Sequence, residues 1–218
     1  DMDHISRRDD LKTGLGVALS KPVDRAILTL VGALDAITPD HLADVHLESS
    51  SHWHVASYFL LTELRHFWPD WLARCRDAGM TVSLGTNWDP NNQWDDVRKL
   101  LPLVDVFMPN DQEALAIAAA DTIDDAGRIL AAQTELVVIK CGADGARAWR
   151  GDQSWSMPGH HIDATDIVDT TGAGDNFDAG FIYSYLNGKD IDECLDLACR
   201  CATASLKAPG GILGQYQP

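Results

Sequence analysis

Residues 169–181 read DTTGAGDNFDAGF, and they join a strand-like segment, DATDIV (163–168), to an amphipathic helical pattern. Two glycines flank a small alanine here, which lets the backbone turn sharply and directs several N–H groups to one point before the helix. A helix N-terminus carries unpaired N–H groups and partial positive charge, so this point attracts an anion. Asp175 falls in the first helical turn, beside that anion. The stretch therefore predicts a strand-turn-helix unit that binds an anion next to a carboxylate.

The same residue types suit phosphoryl transfer. Backbone N–H groups of Gly172, Ala173 and Gly174 would stabilise a phosphate whose charge shifts during reaction. Asp175 would accept the proton of an attacking hydroxyl, which is the base that such a reaction needs. The alternative is an ordinary strand-to-helix turn, in which Asp175 only favours the helix dipole.

Two other phosphate-binding patterns can be tested directly against this loop. The pattern GxxxxGK[ST] is absent from the chain, and the dinucleotide pattern GxGxxG fails because Phe177 stands where the third glycine is required. A dinucleotide-dependent oxidoreductase is therefore disfavoured.

On both sides of the loop, short apolar runs alternate with longer amphipathic ones, without a repeat or a linker. This alternation predicts one α/β domain over 1–218, with a mainly parallel sheet, helices on both faces and ligands at the carboxyl ends of the strands. A separate β hairpin is predicted within 15–31. The predicted strands are 52–59, 80–84, 104–108 and 136–141, with a hairpin at 148–155, and the predicted helices are 60–78, 95–101, 122–134, 174–187 and 191–207, with one more from Asn110.

Composition restricts the partners and the compartment. The 218 residues include 17 Lys and Arg against 33 Asp and Glu, a formal net charge of −16, which disfavours nucleic acid and anionic membranes as partners. No apolar run reaches the roughly 18 residues that cross a bilayer, and the first ten residues lack the apolar core of a secretion signal. Five cysteines without a close CxxC pair indicate reduced thiols. We expect a cytoplasmic protein.

Two histidine pairs could contribute metal ligands. His52 and His54 share one face of a predicted strand, but no third ligand lies at a useful spacing. We interpret them as hydrogen-bonded strand histidines. The pair His160 and His161 lies in a polar loop and carries less signal.

The string from Asp169 to Gly180 resembles the C-terminal signature of the ribokinase-like (PfkB) carbohydrate kinases, DTxGAGDxFxxG. The resemblance implies a ribokinase-like fold and ATP-dependent phosphorylation of a sugar hydroxyl, with ATP and Mg²⁺ as cofactors and a small-molecule sugar as the partner. It also implies that the Gly172–Gly174 backbone binds the transferring phosphate and that Asp175 is the catalytic base.

Asn110 and Glu113 resemble the family's NxxE motif, which helps to organise magnesium, water and the nucleotide phosphates. A hard cation that keeps several waters suits Glu113 acting through water. The alternative is a capping box, in which Asn110 caps the following helix and Glu113 returns a hydrogen bond. Both roles can coexist at one strand end.

Other segments resemble the nucleotide site and a monovalent-cation site of the family. The turn with Gly142 and Gly145, after Lys140, resembles the turn along the nucleotide, and residues 201–211 resemble the wall of the adenine pocket, so these residues and Cys199 are assigned to nucleotide binding. The residues that correspond to a K⁺ site in some family members are Asp169, Thr171, Ser205 and Gly210.

The chain departs from the family in two ways. Family members are usually longer at the N-terminus, where residues contact the sugar, so we expect an N-terminally incomplete domain and keep as an alternative a non-catalytic nucleotide- or sugar-binding remnant. Relatives often carry Asp-x-Asn where this chain has Gly85-Thr86-Asn87, so a polar contact near the substrate is expected to be lost. The hairpin within 15–31 resembles the family's lid, which covers the substrate and mediates homodimer contact. The sequence does not name the sugar.

Overall fold

The computed structural model describes residues 7–20, 25–42, 47–89 and 91–216. Two strands, β1 (Leu15–Ser20) and β2 (Arg25–Leu30), pair antiparallel and form a separate two-stranded sheet, as the sequence predicts. The turn between them lies outside the described residues.

Within the described residues, the central sheet has six strands that lie side by side in sequence order. The first four pair in parallel, and the last two add as antiparallel strands. The prediction of a mainly parallel sheet is confirmed. The strands are β3 (His52–Val55), β4 (Thr81–Leu84), β5 (Val106–Phe107), β6 (Leu136–Lys140), β7 (Ala146–Arg150) and β8 (Gln153–Met157).

Helices cover both faces of this sheet. Along β6, Val137 and Ile139 belong to one hydrophobic core, while Leu136 and Val138 belong to the other, because alternate side chains point to opposite faces. The last two helices pack on the second face. The helices are α1 (Trp68–Asp77), α2 (Asp95–Leu100), α3 (Asp111–Ala118), α4 (Ile123–Ala131), α5 (Ala173–Leu186) and α6 (Ile191–Ser205). No helix in the described ranges is both long enough and apolar enough to cross a membrane.

Two predicted boundaries between residues 52 and 78 are wrong. The strand predicted over 52–59 ends at Val55, where its pairing with β4 ends, and Ser57 has a left-handed φ of 55° that breaks the extended backbone. The helix predicted from residue 60 begins at Trp68, because Pro69 suits only the first turn of a helix.

The strand-like reading of 163–168 is also wrong. These residues are exposed and contain only a short 3₁₀ turn at Ala164–Asp166. The N–H groups of Val168 and Asp169 donate to Leu206 O at 2.8 and 3.3 Å, so the segment attaches to the end of α6 rather than to a strand. The glycine-rich turn therefore follows a loop.

Candidate functional site

The glycine-rich turn has the open geometry that an anion site needs. Gly172 has φ 77°, and a Cβ there would lie 3.0 Å from the Cα of Gly211, so both the conformation and the close approach require glycine. Among the described residues, the N–H groups of Gly172 and Gly174 have no hydrogen-bond acceptor, and the Ala173 N–H reaches Thr170 O only at 3.4 Å. The amides of Gly172 and Gly174 are therefore available to a ligand, and that of Ala173 makes only a long bond.

Asn176 holds the turn against the C-terminal loop. Its Nδ2 donates to the carbonyl oxygens of Gly172 and Gly211, at 2.9 and 2.8 Å. The amide is therefore used inside the protein, where it fixes the shape of the turn.

Asp175 lies in the first turn of α5 and is exposed. Its carboxylate has no hydrogen bond or ion pair to any described residue. Its charge contributes to raising the pKa of Asp178, one turn further along the same face of the helix, so the two carboxylates are close. The Asp175 carboxylate is therefore open to contact with a ligand.

Lys140 and Asp178 form an ion pair beside the turn. Lys140 Nζ lies 3.0 Å from each carboxylate oxygen of Asp178, and the two side chains are only 16% and 9% exposed. Burial raises the pKa of Asp178 to about 6, against the opposite effect of Lys140. A Cβ on Gly174 would lie 3.8 Å from Lys140 Nζ, so the ammonium group adjoins the turn.

Sequence reasoning missed Asp178. The available signal is its place between Phe177 and Phe181, both buried, which makes it a charged residue on the core side of α5. Its partner Lys140 is 38 residues away, at the end of a strand, and no spacing rule connects them.

Asn110 and Glu113 form the predicted capping box at the start of α3. Asn110 Oδ1 accepts the Glu113 N–H at 2.8 Å, and Glu113 Oε2 accepts the Asn110 N–H at 3.0 Å and the Thr86 hydroxyl at 3.0 Å. Glu113 is 3% exposed, and burial raises its pKa while the Asn110 N–H, Lys140 and Thr86 lower it. The structural alternative is confirmed, and the role toward magnesium stays a prediction.

A cavity of about 530 Å³ lies on the α6 side of the turn, a size that suits a nucleotide. Its lining brings together six of the residues predicted for phosphate and nucleotide binding. These are Lys140, Gly142, Gly145, Ala173, Gly174 and Cys199.

The turn after β6 contains two glycines, Gly142 and Gly145, and they differ in what favours glycine at each position. A Cβ on Gly145, which has φ 90°, would lie 2.1 Å from Met157 O, so the backbone of the neighbouring strand requires glycine there. Gly142 has φ 58° and open space around it. Burial raises the pKa of the Cys199 thiol to about 11, so this wall of the cavity is uncharged.

The histidine pairs have separate positions. His160 and His161 both line the cavity, and His160 Nε2 lies 3.0 Å from Asp196 Oδ1, a contact over 36 residues that spacing could not indicate. His52 and His54 lie on β3 and both contact the Ser83 hydroxyl, as expected of strand histidines. Within the described ranges, no group of three or more His, Cys, Asp or Glu residues could hold a metal ion.

Of the four residues predicted for a K⁺ site, three are joined by hydrogen bonds, and the fourth, Ser205, bonds within its own helix. Asp169 accepts hydrogen bonds from the Thr171 and Gly210 N–H groups, both at 2.9 Å. Ser205 is buried and donates its hydroxyl to Ala202 O in its own helix at 2.8 Å. The cation assignment stays a prediction.

Comparison with known proteins identifies the class. Residues 1–217 match the model of the pfkB family carbohydrate kinases, so the chain belongs to this family. It is 31% identical over 188 residues to the ATP-dependent ribose-1-phosphate kinase of Halopiger xanaduensis, covering 85% of this chain and 58% of that protein. It is 37% identical over 117 residues to the cytidine kinase of Thermococcus kodakarensis, covering 53% of this chain and 42% of that protein. The chain thus spans about half the length of these curated relatives.

Solved structures confirm the ribokinase-like fold. Adenosine kinase from Schistosoma mansoni, in complex with 2-fluoroadenosine, superposes with a TM-score of 0.84 at 20% identity, over 95% of this chain and 66% of that one. An E. coli protein crystallised in complex with ATP and Mg²⁺ superposes with a TM-score of 0.81 at 21% identity, over 92% and 67% of the two chains.

Proposed function

We propose that this chain carries the nucleotide-binding and phosphoryl-transfer machinery of an ATP-dependent kinase that acts on a sugar hydroxyl. The observation that carries the proposal is the turn at 172–174, with its open N–H groups, between a nucleotide-sized cavity and the free carboxylate of Asp175. Family membership supports this, as do the similar ribose-1-phosphate kinase and cytidine kinase.

In the proposed reaction, ATP binds in the cavity with its phosphates toward the turn. Asp175 takes the proton of the acceptor hydroxyl, whose oxygen forms a bond to the γ-phosphorus while the bond to the ADP oxygen breaks. The N–H groups of Gly172–Gly174 stabilise the charge on the phosphoryl oxygens. Bound Mg²⁺ would neutralise phosphate charge. Glu113, with its carboxylate at the carboxyl end of the sheet, would hold Mg²⁺ through water.

The substitution Asp175→Asn tests this proposal. It should lower phosphoryl transfer by about a thousandfold, because a positioned base contributes on the order of 10² to 10⁴, while ATP·Mg binding is retained. The measurements are coupled ADP release over a panel of sugars and nucleosides, and calorimetry with ATP·Mg. Asp192→Asn, an exposed carboxylate in the first turn of α6, is the matched control. An unchanged rate in Asp175→Asn would reject the assigned base.

Gly85 supports a second candidate function, a non-catalytic nucleotide- or sugar-binding protein of the same fold. The loop after β4 lacks the carboxylate that many relatives place there. ATP·Mg binding without any sugar-stimulated ADP release would favour this candidate over the kinase.

The β1–β2 hairpin is proposed to be the lid over the substrate and the contact between two copies of the chain. Leu15, Val17, Leu28 and Leu30 are between 43% and 61% exposed, and their cross-strand pairing places them on one face. Closure of such a lid would exclude water and favour transfer to the sugar over hydrolysis of ATP.

A further inference from the structure

At the end of β4, a side chain from a different secondary-structure element fills the space beside Gly85. Gly85 has no side chain, and a Cβ placed on it would lie 3.2 Å from Asp178 Oδ2 and 3.6 Å from His54 Cε1. The Asp178 carboxylate, which comes from α5, therefore occupies the region that a side chain at position 85 would enter. The space beside Gly85 thus holds a carboxylate that comes from α5.

The Asp178 carboxylate holds the ammonium group of Lys140 next to the glycine-rich turn. A lysine side chain is flexible, with several rotatable bonds, and loses conformational freedom when its ammonium group is held at one point. Both carboxylate oxygens of Asp178 accept from Lys140 Nζ at 3.0 Å. Lys140 is thereby held on the cavity wall, next to Gly174.

A gain in folding stability does not by itself explain the ion pair between Lys140 and Asp178. A buried ion pair is often no more stabilising than apolar residues of similar volume, because both charges lose hydration. The cost is visible at Asp178, since burial raises its pKa despite the adjacent ammonium group. Lys140 lines the cavity and its ammonium group adjoins Gly174, so its charge faces the space that a ligand would occupy.

We propose that Asp178 is a positioning residue, which holds the Lys140 ammonium group where it binds the phosphates of the nucleotide, and that Gly85 provides the space for this arrangement. The proposal rests on the proposed kinase function. Lys140 acts on the ligand directly, and Asp178 acts through Lys140.

The first test compares two ligands that differ only in their phosphates. Asp178→Asn keeps the shape of the side chain and removes its charge. It should weaken ATP·Mg binding about tenfold, the range of a charge-assisted hydrogen bond, and should leave the affinity for adenosine unchanged. Asp124→Asn, which removes an ion pair to Arg147 away from the cavity, is the matched control and should change neither affinity.

The second test moves the carboxylate to position 85. Gly85→Asp alone should weaken ATP·Mg binding, because two carboxylates would compete for one space and repel each other. The double variant Gly85→Asp with Asp178→Asn should recover the affinity to within about twofold of the unaltered chain. Gly85→Asn with Asp178→Asn has the same shape without the charge and should not recover it. Thermal unfolding of each variant shows whether it is folded.

The outcomes separate this proposal from the kinase assignment. Equal loss of adenosine and ATP·Mg binding in Asp178→Asn would show a merely structural role and overturn the proposal. So would an unchanged ATP·Mg affinity, or a carboxylate at position 85 that recovers nothing. If the unaltered chain binds no ATP·Mg, the proposed function itself is rejected, and the role of Asp178 with it.

Discussion

At the scale of single residues, one hydroxyl group of β4, that of Ser83, contacts two histidine side chains of β3. Ser83 Oγ lies 2.8 Å from His52 Nε2 and 2.7 Å from His54 Nδ1. Burial, together with the charges of His52 and Lys140, lowers the pKa of His54 to about 4. His54 is therefore neutral at pH 7, beside the Lys140–Asp178 pair.

This pKa predicts a loss of stability in mild acid. Below pH 6.5 the unfolded chain protonates His54, whereas the folded chain keeps it neutral to about pH 4, so stability present above pH 6.5 is lost as the pH falls toward 4. His54→Asn should lose about 1 kcal/mol less than the unaltered chain between pH 7 and 5, allowing for the partial exposure of the ring. Urea unfolding at the two pH values measures this difference.

The control for this effect is His161→Asn, because His161 is 88% exposed. It should lose as much stability between pH 7 and 5 as the unaltered chain. Asp178 acts in the opposite direction, since its raised pKa lets the folded state bind a proton first; its effect is common to all three proteins and cancels. Equal acid sensitivity of His54→Asn and the unaltered chain would contradict the prediction.

The positions of single residues were predictable where glycines precede a helical pattern. The left-handed φ of Gly172 and the place of Asp175 in the first turn of α5 both follow from seven consecutive residues. Asp178 could not be predicted as a partner of Lys140, because their contact depends on how α5 lies across the end of β6. Gly145 lines the cavity, but the requirement for glycine there comes from the backbone at Met157, which no local pattern shows.

At the scale of elements, the hairpin predicts an association between two copies of the chain. Leu28 is 61% exposed on the apolar face of β2, and a contiguous exposed apolar face of this kind marks an interaction site. Leu28→Glu should convert a dimer to a monomer, because it places a charge in the proposed interface. Sedimentation at a range of protein concentrations measures the mass.

The hairpin also offers its own control. Thr29 is the next residue of β2, is also exposed, and points to the opposite face. Thr29→Glu adds the same charge and should leave the mass unchanged. A monomeric unaltered chain, or dissociation by both substitutions alike, would reject the proposed interface.

Elements were predictable from periodicity, and their ends were not. Most strands and helices lie where the alternation of short apolar runs and longer amphipathic runs predicts them. A sheet that is covered by helices on both faces imposes this alternation on the sequence. Gly127 shows the limit: in the middle of α4 it weakens the sequence signal for a helix, yet a Cβ there would lie 2.3 Å from the Trp149 ring. The helix tolerates this glycine because a strand tryptophan packs against its backbone, a contact that sequence spacing does not show.

At the scale of the whole molecule, the excess of carboxylates predicts stabilisation by salt. A formal charge of −16 on 218 residues makes the folded chain repel itself, since folding brings the charges together. Raising NaCl from 0.01 to 0.3 M shortens the screening length from about 30 Å to below 10 Å. The melting temperature should rise by about 5 °C, which corresponds to about 1–2 kcal/mol for a domain of this size. Calorimetry at pH 7.5 measures it.

Screening by salt can be separated from other effects of salt by pH. The sequence pI is about 4.6, so the net charge and its self-repulsion shrink as the carboxylates bind protons below pH 6. The same NaCl series at pH 5 should therefore raise the melting temperature much less than at pH 7.5, even though the protein starts from a lower stability there. Sucrose at equal osmolarity controls for general exclusion of solute, which does not depend on charge. A melting temperature that does not respond to NaCl at pH 7.5, or that responds equally at both pH values, would show that the carboxylates lie too far apart to repel one another measurably.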